Sequence, residues 1–232
     1  MSAFFHYREN VLQFFTFRYI MRIEKLLKEG LLMSRIITIG RQFGSGGREI
    51  GRQLAAQLGI AYYDKEIVTE IAKRTDLAEE YIRHVEERQP QPVIPLSIGR
   101  SFSLSVDPLI DQQQSVFIEQ SNVIREMAAK SDCVIVGRCA DYILREEKPL
   151  RLFFYADLAS RIERCRRVGE LGTDLSDKEM GKKITAIDKS RSQYYRYYTE
   201  QEWGDKSNYD LMINTTNIPV KDAVEAIIKV LQ

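Results

Sequence analysis

The sequence predicts an α/β fold in which helices cover both faces of a parallel sheet. Short, almost continuously apolar stretches alternate along the chain with longer segments of helical periodicity, which is typical of strands buried on both faces. No repeat with a period of about 20–50 residues occurs, which argues against a solenoid. With 232 residues, 44% of them hydrophobic and 29% charged, the chain can form one sizeable domain or two small ones.

The first predicted strand is residues 36–39, a β-branched run that reads IITI. A glycine cluster follows, and then a helical pattern that ends at Gly59, since glycine commonly closes helices. Residues 60–63 predict the second strand. Asp64 is placed to cap the next helix, whose periodicity runs over 69–88.

Three prolines then interrupt the helical pattern, and residues 89–108 predict a long loop. The length of this loop fits a mobile lid, a substrate pocket or a dimer arm, and the sequence does not choose among them. A helix is predicted over 109–130. The apolar run 134–136 predicts the third strand, and Gly137 ends it.

The last third of the chain repeats the pairing of strand and helix. Residues 150–156, which read LRLFFYA, predict the fourth strand, and 158–167 predict the helix after it. A charged segment over 169–177 precedes a basic helix. The fifth strand is predicted at 211–213, and the final helix begins at Val220.

Charge and composition exclude several classes of function. Lysine and arginine total 34 against 33 acidic residues, and the net charge of +1 provides no field that attracts nucleic acid, so nucleic acid is not an expected partner. Cys133, Cys139 and Cys165 form no CxxC pair, which fits a reduced, cytoplasmic setting. Only two histidines occur, so a histidine metal site or a Ser-His-Asp triad is not expected.

Residues 1–32 differ from the rest of the chain. Charged residues interrupt the apolar stretch 11–27, which falls short of the roughly 20 apolar residues that span a bilayer, so no membrane partner is expected. A basic start and a small-residue cleavage site are missing, which argues against a signal peptide. Two alternatives remain: an amphipathic helix closed by Gly30, or a true start of translation at Met33. The second is favoured because a strand begins almost immediately after Met33.

Residues 40–51 form a glycine-rich segment between the first strand and the first helix, and read GRQFGSGGREIG. Because glycines let backbone amides crowd around an anion and a helix start adds positive potential, the segment predicts a phosphate site. The strict pattern GxxxxGK[ST] is not met: Gly47 or Arg48 takes the lysine position, depending on the register. Arg48 is therefore the cation expected nearest the phosphate. The alternatives are a tight turn without a ligand and, with less support, a dinucleotide fold with Asp64 at a ribose, for which Glu49 stands where glycine is needed.

Four stretches carry a family resemblance, and they read IITIGRQFGSGGREIGRQLAAQLGIAYYD, VIVGRCADYIL, LRLFFYADLASRIERCRR and DKSRSQYYRYYTEQEWGDKSNYDLMINT. In this order they resemble the cytidylate kinase-like family, a branch of the P-loop nucleoside-monophosphate kinases. The resemblance implies a P-loop kinase-like three-layer sandwich, with about five parallel strands, helices on both faces and a helical lid. It also implies ATP and Mg²⁺ as cofactors, a kinase domain over 33–232 with an insertion at 89–108, and a lid at 168–198.

The chain departs from cytidylate kinases at three places. Gly47 and Arg48 stand where that family has the P-loop lysine and a hydroxyl residue. Residues 65–66 are Lys-Glu, where the family has a Ser/Thr-Gly pair that helps hold the acceptor. Cys139 replaces the aspartate of a Gly-Arg-Asp motif, and the nearest carboxylate is Asp141. The fold and nucleotide binding are therefore carried over more firmly than CMP as the acceptor.

The resemblance implies roles for several arginines. Arg138 follows a strand at the carboxyl edge, where open α/β sheets bind ligands, and is implied to contact the acceptor phosphate or base. Arg161 and Arg164 share a helix face and are implied to approach the donor phosphates, and Arg191 is implied to reach a phosphate when the lid closes. The alternative for Arg138 is a surface arginine, and for Arg161 and Arg164 it is a solvated basic face. For Arg191 it is an intrahelical pair with Asp188.

The carboxylates best placed to hold Mg²⁺ through water are Asp64, Glu49 and Asp141, although capping and helix-dipole roles explain the first two equally well. The four tyrosines within 194–198 are expected mostly to pack, with base stacking or a partner surface as alternatives. Cys139 is expected to be a packing residue. No metal ligand is assigned. The candidate residues are Gly44, Ser45, Gly46, Gly47, Arg48, Glu49, Arg161 and Arg164 for the donor, Asp64, Arg138, Asp141 and Asp188 for the acceptor, and Arg48, Arg138 and Arg191 for catalysis.

Three functions are compatible with these features. The leading hypothesis is a cytoplasmic, ATP-dependent kinase that acts on a nucleoside monophosphate, CMP- or dCMP-like, or on a related small phosphate acceptor. The second is a non-catalytic nucleotide-binding regulatory protein, which the missing lysine and hydroxyl motivate. The third is an oligomeric interaction module, such as a homodimer, built from the proline-rich loop and the tyrosines. If the loop is merely degenerate, Gly47→Lys is expected to create activity.

Overall fold

Five strands form one parallel sheet in the computed structural model, which describes residues 36–75, 77–82, 108–172 and 174–231. The predictions made for 1–32 and 89–107 lie outside these residues. The strands are β1 (Ile36–Arg41), β2 (Ala61–Tyr63), β3 (Cys133–Val136), β4 (Leu150–Tyr155) and β5 (Leu211–Asn214). The helices are α1 (Gly47–Leu58), α2 (Lys65–Thr75), α3 (Pro108–Lys130), α4 (Ala140–Ile143), α5 (Leu158–Val168), α6 (Asp177–Thr199) and α7 (Val220–Leu231), with short 3-10 turns at Arg145–Glu147 and Lys206–Asn208.

The strand order is β2-β3-β1-β4-β5, so β1 lies at the centre of the sheet. Ile37 of β1 pairs with Val134 of β3 on one side and with Leu150 of β4 on the other. All pairings are parallel, and therefore the carboxyl ends of all five strands meet at one edge. The glycine-rich segment leaves the sheet at the middle of this edge.

Helices pack on both faces because successive strand residues point to opposite sides. Ile37 and Ile39 pack with α1 and α7, in a cluster that includes Leu54. Ile36 belongs to the cluster on the opposite face, which also contains Ile71 of α2 and residues of α3 and α6. The three-layer α/β fold predicted from the sequence is confirmed, and the five predicted strands are present with small differences at their ends.

The helix predicted to continue over 69–88 is interrupted. Helix α2 ends at Thr75, whose Oγ1 donates to the carbonyl of Ile71 at 2.8 Å, and helical structure resumes over 79–82. Residues 83–88 lie outside the described part of the chain. The apolar periodicity persists across the break because Leu77 and Ile82 still pack against the core. A hydrophobic pattern alone therefore did not reveal where the backbone leaves the helix.

None of the helices in the described ranges is long and apolar enough to cross a bilayer.

Candidate active site

The glycine-rich segment forms a loop between β1 and α1. Gly44 and Gly46 adopt φ values of 75° and 84°, a region that favours glycine because it has no Cβ. The first helical hydrogen bond runs from the amide of Ile50 to the carbonyl of Gly46 at 2.9 Å. The amides of Gly47, Arg48 and Glu49 therefore lie in the first turn of α1 without a helical acceptor, which makes them available to an anion.

The carbonyl side of this loop is held by cationic and hydroxyl donors. Arg164 of α5 donates to the carbonyl of Gly44 at 2.7 Å, and Arg161 donates to the carbonyl of Phe43 at 3.3 Å. Thr215 donates to the carbonyl of Ser45 at 2.7 Å. These contacts hold the loop by its carbonyl groups and do not occupy the amides at the start of α1.

Asp188 of α6 joins the same support. Its carboxylate accepts the Phe43 amide at 2.7 Å and also pairs with Arg161, whose side chain is buried. The intrahelical partner considered for Asp188 was Arg191, but the carboxylate is directed to the loop and to α5 instead. Ser45 and Arg161, which were expected at the donor, and Asp188, which was expected at the acceptor, thus line neither of the cavities described next.

Two adjoining cavities open at the carboxyl edge of the sheet, with volumes of about 530 and 220 Å³. The larger one lies along the glycine loop and contains Gly44, Gly46, Gly47, Glu49 and Arg164. The smaller one lies beside the end of β3 and contains Arg138 and Asp141. The side chains that line both cavities are mostly cationic: Arg41, Arg48, Lys65 and Arg191, together with Asp64.

Arg48 is held by two carboxylates. Its Nε lies 2.7 Å from Asp64 Oδ2, and its Nη1 lies 2.9 Å from Glu170 Oε1. Asp64 is buried at the end of β2, whereas Glu170 follows α5 and is exposed. The arrangement connects the two cavity walls, and it means that the charge of Arg48 is already balanced.

Arg138 stands in a strained turn directly after β3. Gly137, Arg138 and Cys139 have φ values of 77°, 60° and 54°, a conformation that is costly for the two residues with side chains. Arg138 Nε donates to the carbonyl of Asp64 at 3.2 Å, and burial lowers the pKa of its guanidinium to about 10. The backbone thus directs a desolvated cation into the smaller cavity, whereas Cys139 is a buried packing residue, as predicted.

Asp141 lines the smaller cavity and is buried. Burial raises the pKa of its carboxyl, although the hydroxyl of Tyr195 donates to Oδ2 at 2.7 Å and opposes that shift. Tyr194, Tyr195, Trp203 and Tyr209 supply the aromatic part of the same cavity.

The predicted packing role of the tyrosines holds for most of them. Tyr194 and Tyr195 are buried, and the Tyr198 ring stacks on Phe117 with the ring centres 3.9 Å apart. Tyr197 is exposed.

Sequence reasoning missed Arg41, which ends β1. Its side chain lines both cavities and lies against Gly137, at which an added Cβ would overlap the Arg41 Nη1. The signal that could have found it is the one used for Arg138, namely an arginine at the carboxyl end of a buried strand.

The residues of the larger cavity fit a nucleoside triphosphate with Mg²⁺. The loop offers amides for phosphate oxygens, and Glu49, Asp64 and Glu66 offer the carboxylate oxygens that Mg²⁺ prefers. Within the described ranges no three or more His, Cys, Asp and Glu side chains gather as a metal site. A Mg²⁺ ion here would take its other ligands from phosphates and water, as it usually does.

Comparison with known structures agrees with this architecture. A crystal structure of an uncharacterized protein from Eubacterium ventriosum is 29% identical and has a TM-score of 0.61, over 84% of this chain and 96% of that one. Shikimate kinase from Bacteroides thetaiotaomicron is similar in fold at a TM-score of 0.51 and 14% identity, over 84% of this chain and 97% of that one. Shikimate kinase from Acinetobacter baumannii, solved in complex with shikimate, has a TM-score of 0.50 and 14% identity, over 88% and 96%.

A search of curated proteins finds no significant match. The model of the cytidylate kinase-like family, by contrast, matches residues 36–217, which is most of the chain and includes both cavities. The fold is the α/β fold of P-loop kinases, and the chain belongs to the cytidylate kinase-like family.

Proposed function

We infer that this protein transfers a phosphoryl group from ATP to a nucleoside monophosphate, CMP- or dCMP-like, or to a related small phosphate acceptor. The observation that carries the proposal is the pair of adjoining cavities, one on the glycine loop and one at Arg138, which share a cationic wall. Phosphoryl transfer needs positioning and cations around the moving group far more than it needs covalent help from the protein.

The larger cavity is the proposed donor site. The first amides of α1 bind donor phosphate oxygens, and Arg164 holds the loop in the conformation that presents them. Glu49 and Asp64 are the carboxylates that would hold a Mg²⁺ ion through water, and such an ion would supply positive charge against the donor phosphates.

The smaller cavity is the proposed acceptor site. Its lining contains five cationic side chains and only two carboxylates, so an acceptor that carries phosphate is favoured over a neutral one. Arg138 is positioned to bind the acceptor phosphate, and the aromatic side chains of the cavity, Trp203 among them, offer surfaces for a planar base. Arg191 lies on both cavity walls, where it would stabilise charge that develops between the two phosphates.

The experiment is an acceptor panel measured with the full-length protein. Mg·ATP is supplied with ribo- and deoxyribonucleoside monophosphates, and the products are detected by mass. We expect transfer to one acceptor or a few related ones, and a loss of about 100-fold or more in Arg138→Gln, since a charge-assisted contact made in the transition state is removed. Arg125→Gln is the matched control, because Arg125 is an exposed arginine on α3 that lines neither cavity.

A second function is favoured by one specific observation. Gly47 stands at the lysine position of the loop, and the charge of Arg48 is balanced by Asp64 and Glu170. A nucleotide-binding regulatory protein on the kinase fold would have these properties. ATP binding with no transfer to any acceptor would favour this alternative over catalysis.

A further inference from the structure

Arg41 occupies the wall between the two cavities. It is the last residue of the central strand β1, and its side chain is half-buried and lines both cavities. Across residues 36–75, 77–82, 108–172 and 174–231, no carboxylate forms an ion pair with its guanidinium. Arg48, Arg151 and Arg161, by contrast, each contact an acidic side chain.

Two glycines leave the space that the Arg41 side chain fills. A Cβ added at Gly47 would lie 2.7 Å from the Cβ of Arg41, which is closer than side chains normally approach. A Cβ added at Gly137 would overlap the Arg41 Nη1. Gly47 stands where the strict loop pattern has lysine. Any side chain at this position would collide with Arg41.

Burial removes water from the Arg41 guanidinium, which makes this cation receptive to an anion. Burial lowers the pKa of Arg41, and Arg48 lowers it further, whereas Asp64, Tyr62 and Glu170 raise it. Arg41 in turn lowers the pKa of Arg138. Arginine stays protonated in proteins, so a partly desolvated cation stands beside other cations at the junction of the cavities.

We propose that Arg41 is the phosphate-binding cation of this site and takes the place of the loop lysine, with one edge of its guanidinium toward the donor phosphates and the other toward the acceptor. This inference rests on the proposed function and assigns the cation within it. Arginine suits the position because its planar group presents five donors and can bind two phosphate oxygens at once.

The proposal is tested by equilibrium titration of the full-length protein with ATP and with inorganic tripolyphosphate. Arg41→Gln should lower the affinity for both ligands by about 10- to 100-fold, since it removes charged hydrogen bonds to phosphate. The affinity of Arg41→Lys should lie between those of wild type and Arg41→Gln. Arg125→Gln, which alters the exposed arginine on α3, should bind both ligands like wild type. Unchanged affinity in Arg41→Gln, or a larger loss in Arg48→Gln, would overturn the assignment.

Thermal unfolding of the ligand-free variants separates phosphate binding from a structural role. Because burial lowers the pKa of Arg41 and no carboxylate in the described ranges pairs with its guanidinium, Arg41→Gln should unfold at the same temperature as wild type or higher. If Arg41→Gln binds the ligands more weakly and also unfolds at a clearly lower temperature, Arg41 supports the fold, and the proposal is overturned. Wild-type protein that binds neither ligand would overturn the proposed function itself, whereas tight wild-type binding that Arg41→Gln retains would overturn only the assignment of Arg41.

Discussion

Gly47 and Gly137 determine where the Arg41 side chain can lie. A larger residue fits at neither position, because an added Cβ meets Arg41 at both of them. This finding replaces the expectation that Gly47→Lys would create activity, since a lysine at 47 cannot enter without displacing Arg41. The missing lysine is thus compatible with an intact site that uses a different cation.

Gly47→Ala is expected to destabilise the protein by about 1–3 kcal/mol, because its Cβ would be forced against Arg41 and against the Phe154 ring, 3.2 Å away. Gly181→Ala is the matched control. Gly181 also lies in a helix, but a Cβ there makes ordinary contacts at 3.4 Å or more, so alanine should stabilise by about 0.5–1 kcal/mol. Denaturant unfolding of both variants measures the difference, and equal effects would show that Gly47 has no special packing role.

Asp141 gives a prediction about pH. Burial raises the pKa of its carboxyl, so the protonated form is favoured in the folded state. The stability contributed by this group is fully present below the ordinary pKa of 3.8 and is lost as the pH rises through the raised value. Asp141→Asn removes the cost of the ionised form, and it should therefore unfold at a higher temperature than wild type at pH 7.5.

The advantage of Asp141→Asn should shrink as the pH is lowered toward 4, which a series of thermal melts would reveal. Asp210→Asn, which alters a half-buried carboxylate paired with Arg151 at 2.9 Å, is the control and should destabilise at neutral pH. An Asp141→Asn advantage that is the same at every pH would contradict the raised pKa.

Sequence reasoning identified Arg138 and Asp141 but not Arg41, and the reason is local. Arg138 follows a glycine that ends an apolar run, whereas Arg41 precedes a dense glycine motif in which Arg48 lies at or beside the lysine position. Only the three-dimensional contacts show that Asp64 and Glu170 balance Arg48. Charge compensation between distant residues is not visible in a sequence pattern.

Helices α5 and α6 hold the backbone of the glycine loop in place. The Arg161–Asp188 pair connects the two helices, and the same two side chains bind the carbonyl and the amide of Phe43. The α6 helix begins with a capping box in which Ser176 and Glu179 satisfy each other's backbone, so its position is well defined. The two helices therefore fix the conformation of the loop at the proposed donor site.

Asp188→Ala should destabilise the protein by about 3–5 kcal/mol, because it leaves a buried arginine without its carboxylate and the Phe43 amide without its acceptor. Glu202→Ala, which removes a partner of Arg196 in an exposed pair, should change stability by less than about 1 kcal/mol. Denaturant unfolding is the measurement. A small effect of Asp188→Ala, comparable with that of Glu202→Ala, would mean that the pair does not support the loop.

Secondary structure was predictable wherever burial left a clear pattern. Apolar runs located the strands, and Gly59 marked the end of α1. The break after Thr75 was missed because the buried residues on either side keep the same spacing. The implied lid over 168–198 remains a prediction, although α6 contributes Tyr194 and Tyr195 to the core and is thereby partly anchored.

The described part of the chain places both cavities at one edge of one sheet. The order β2-β3-β1-β4-β5 puts β1 next to β3, and so brings Arg41 beside Gly137 and Arg138 although about a hundred residues separate them. The sequence predicted the class of fold, and the sheet edge at which it expects ligands is the edge where both cavities lie. It did not predict that the site has two cavities with a shared wall, because that depends on packing between segments far apart in the chain.

Acceptor-dependent formation of ADP by the wild-type protein tests the central claim most directly. The claim is that the two cavities hold a donor and a phosphate-bearing acceptor on either side of a shared cationic wall. With Mg·ATP and the panel of nucleoside monophosphates, ADP and a phosphorylated acceptor should form together in equal amounts for at least one acceptor. ATP that binds but yields no such product with any member of the panel would contradict the claim.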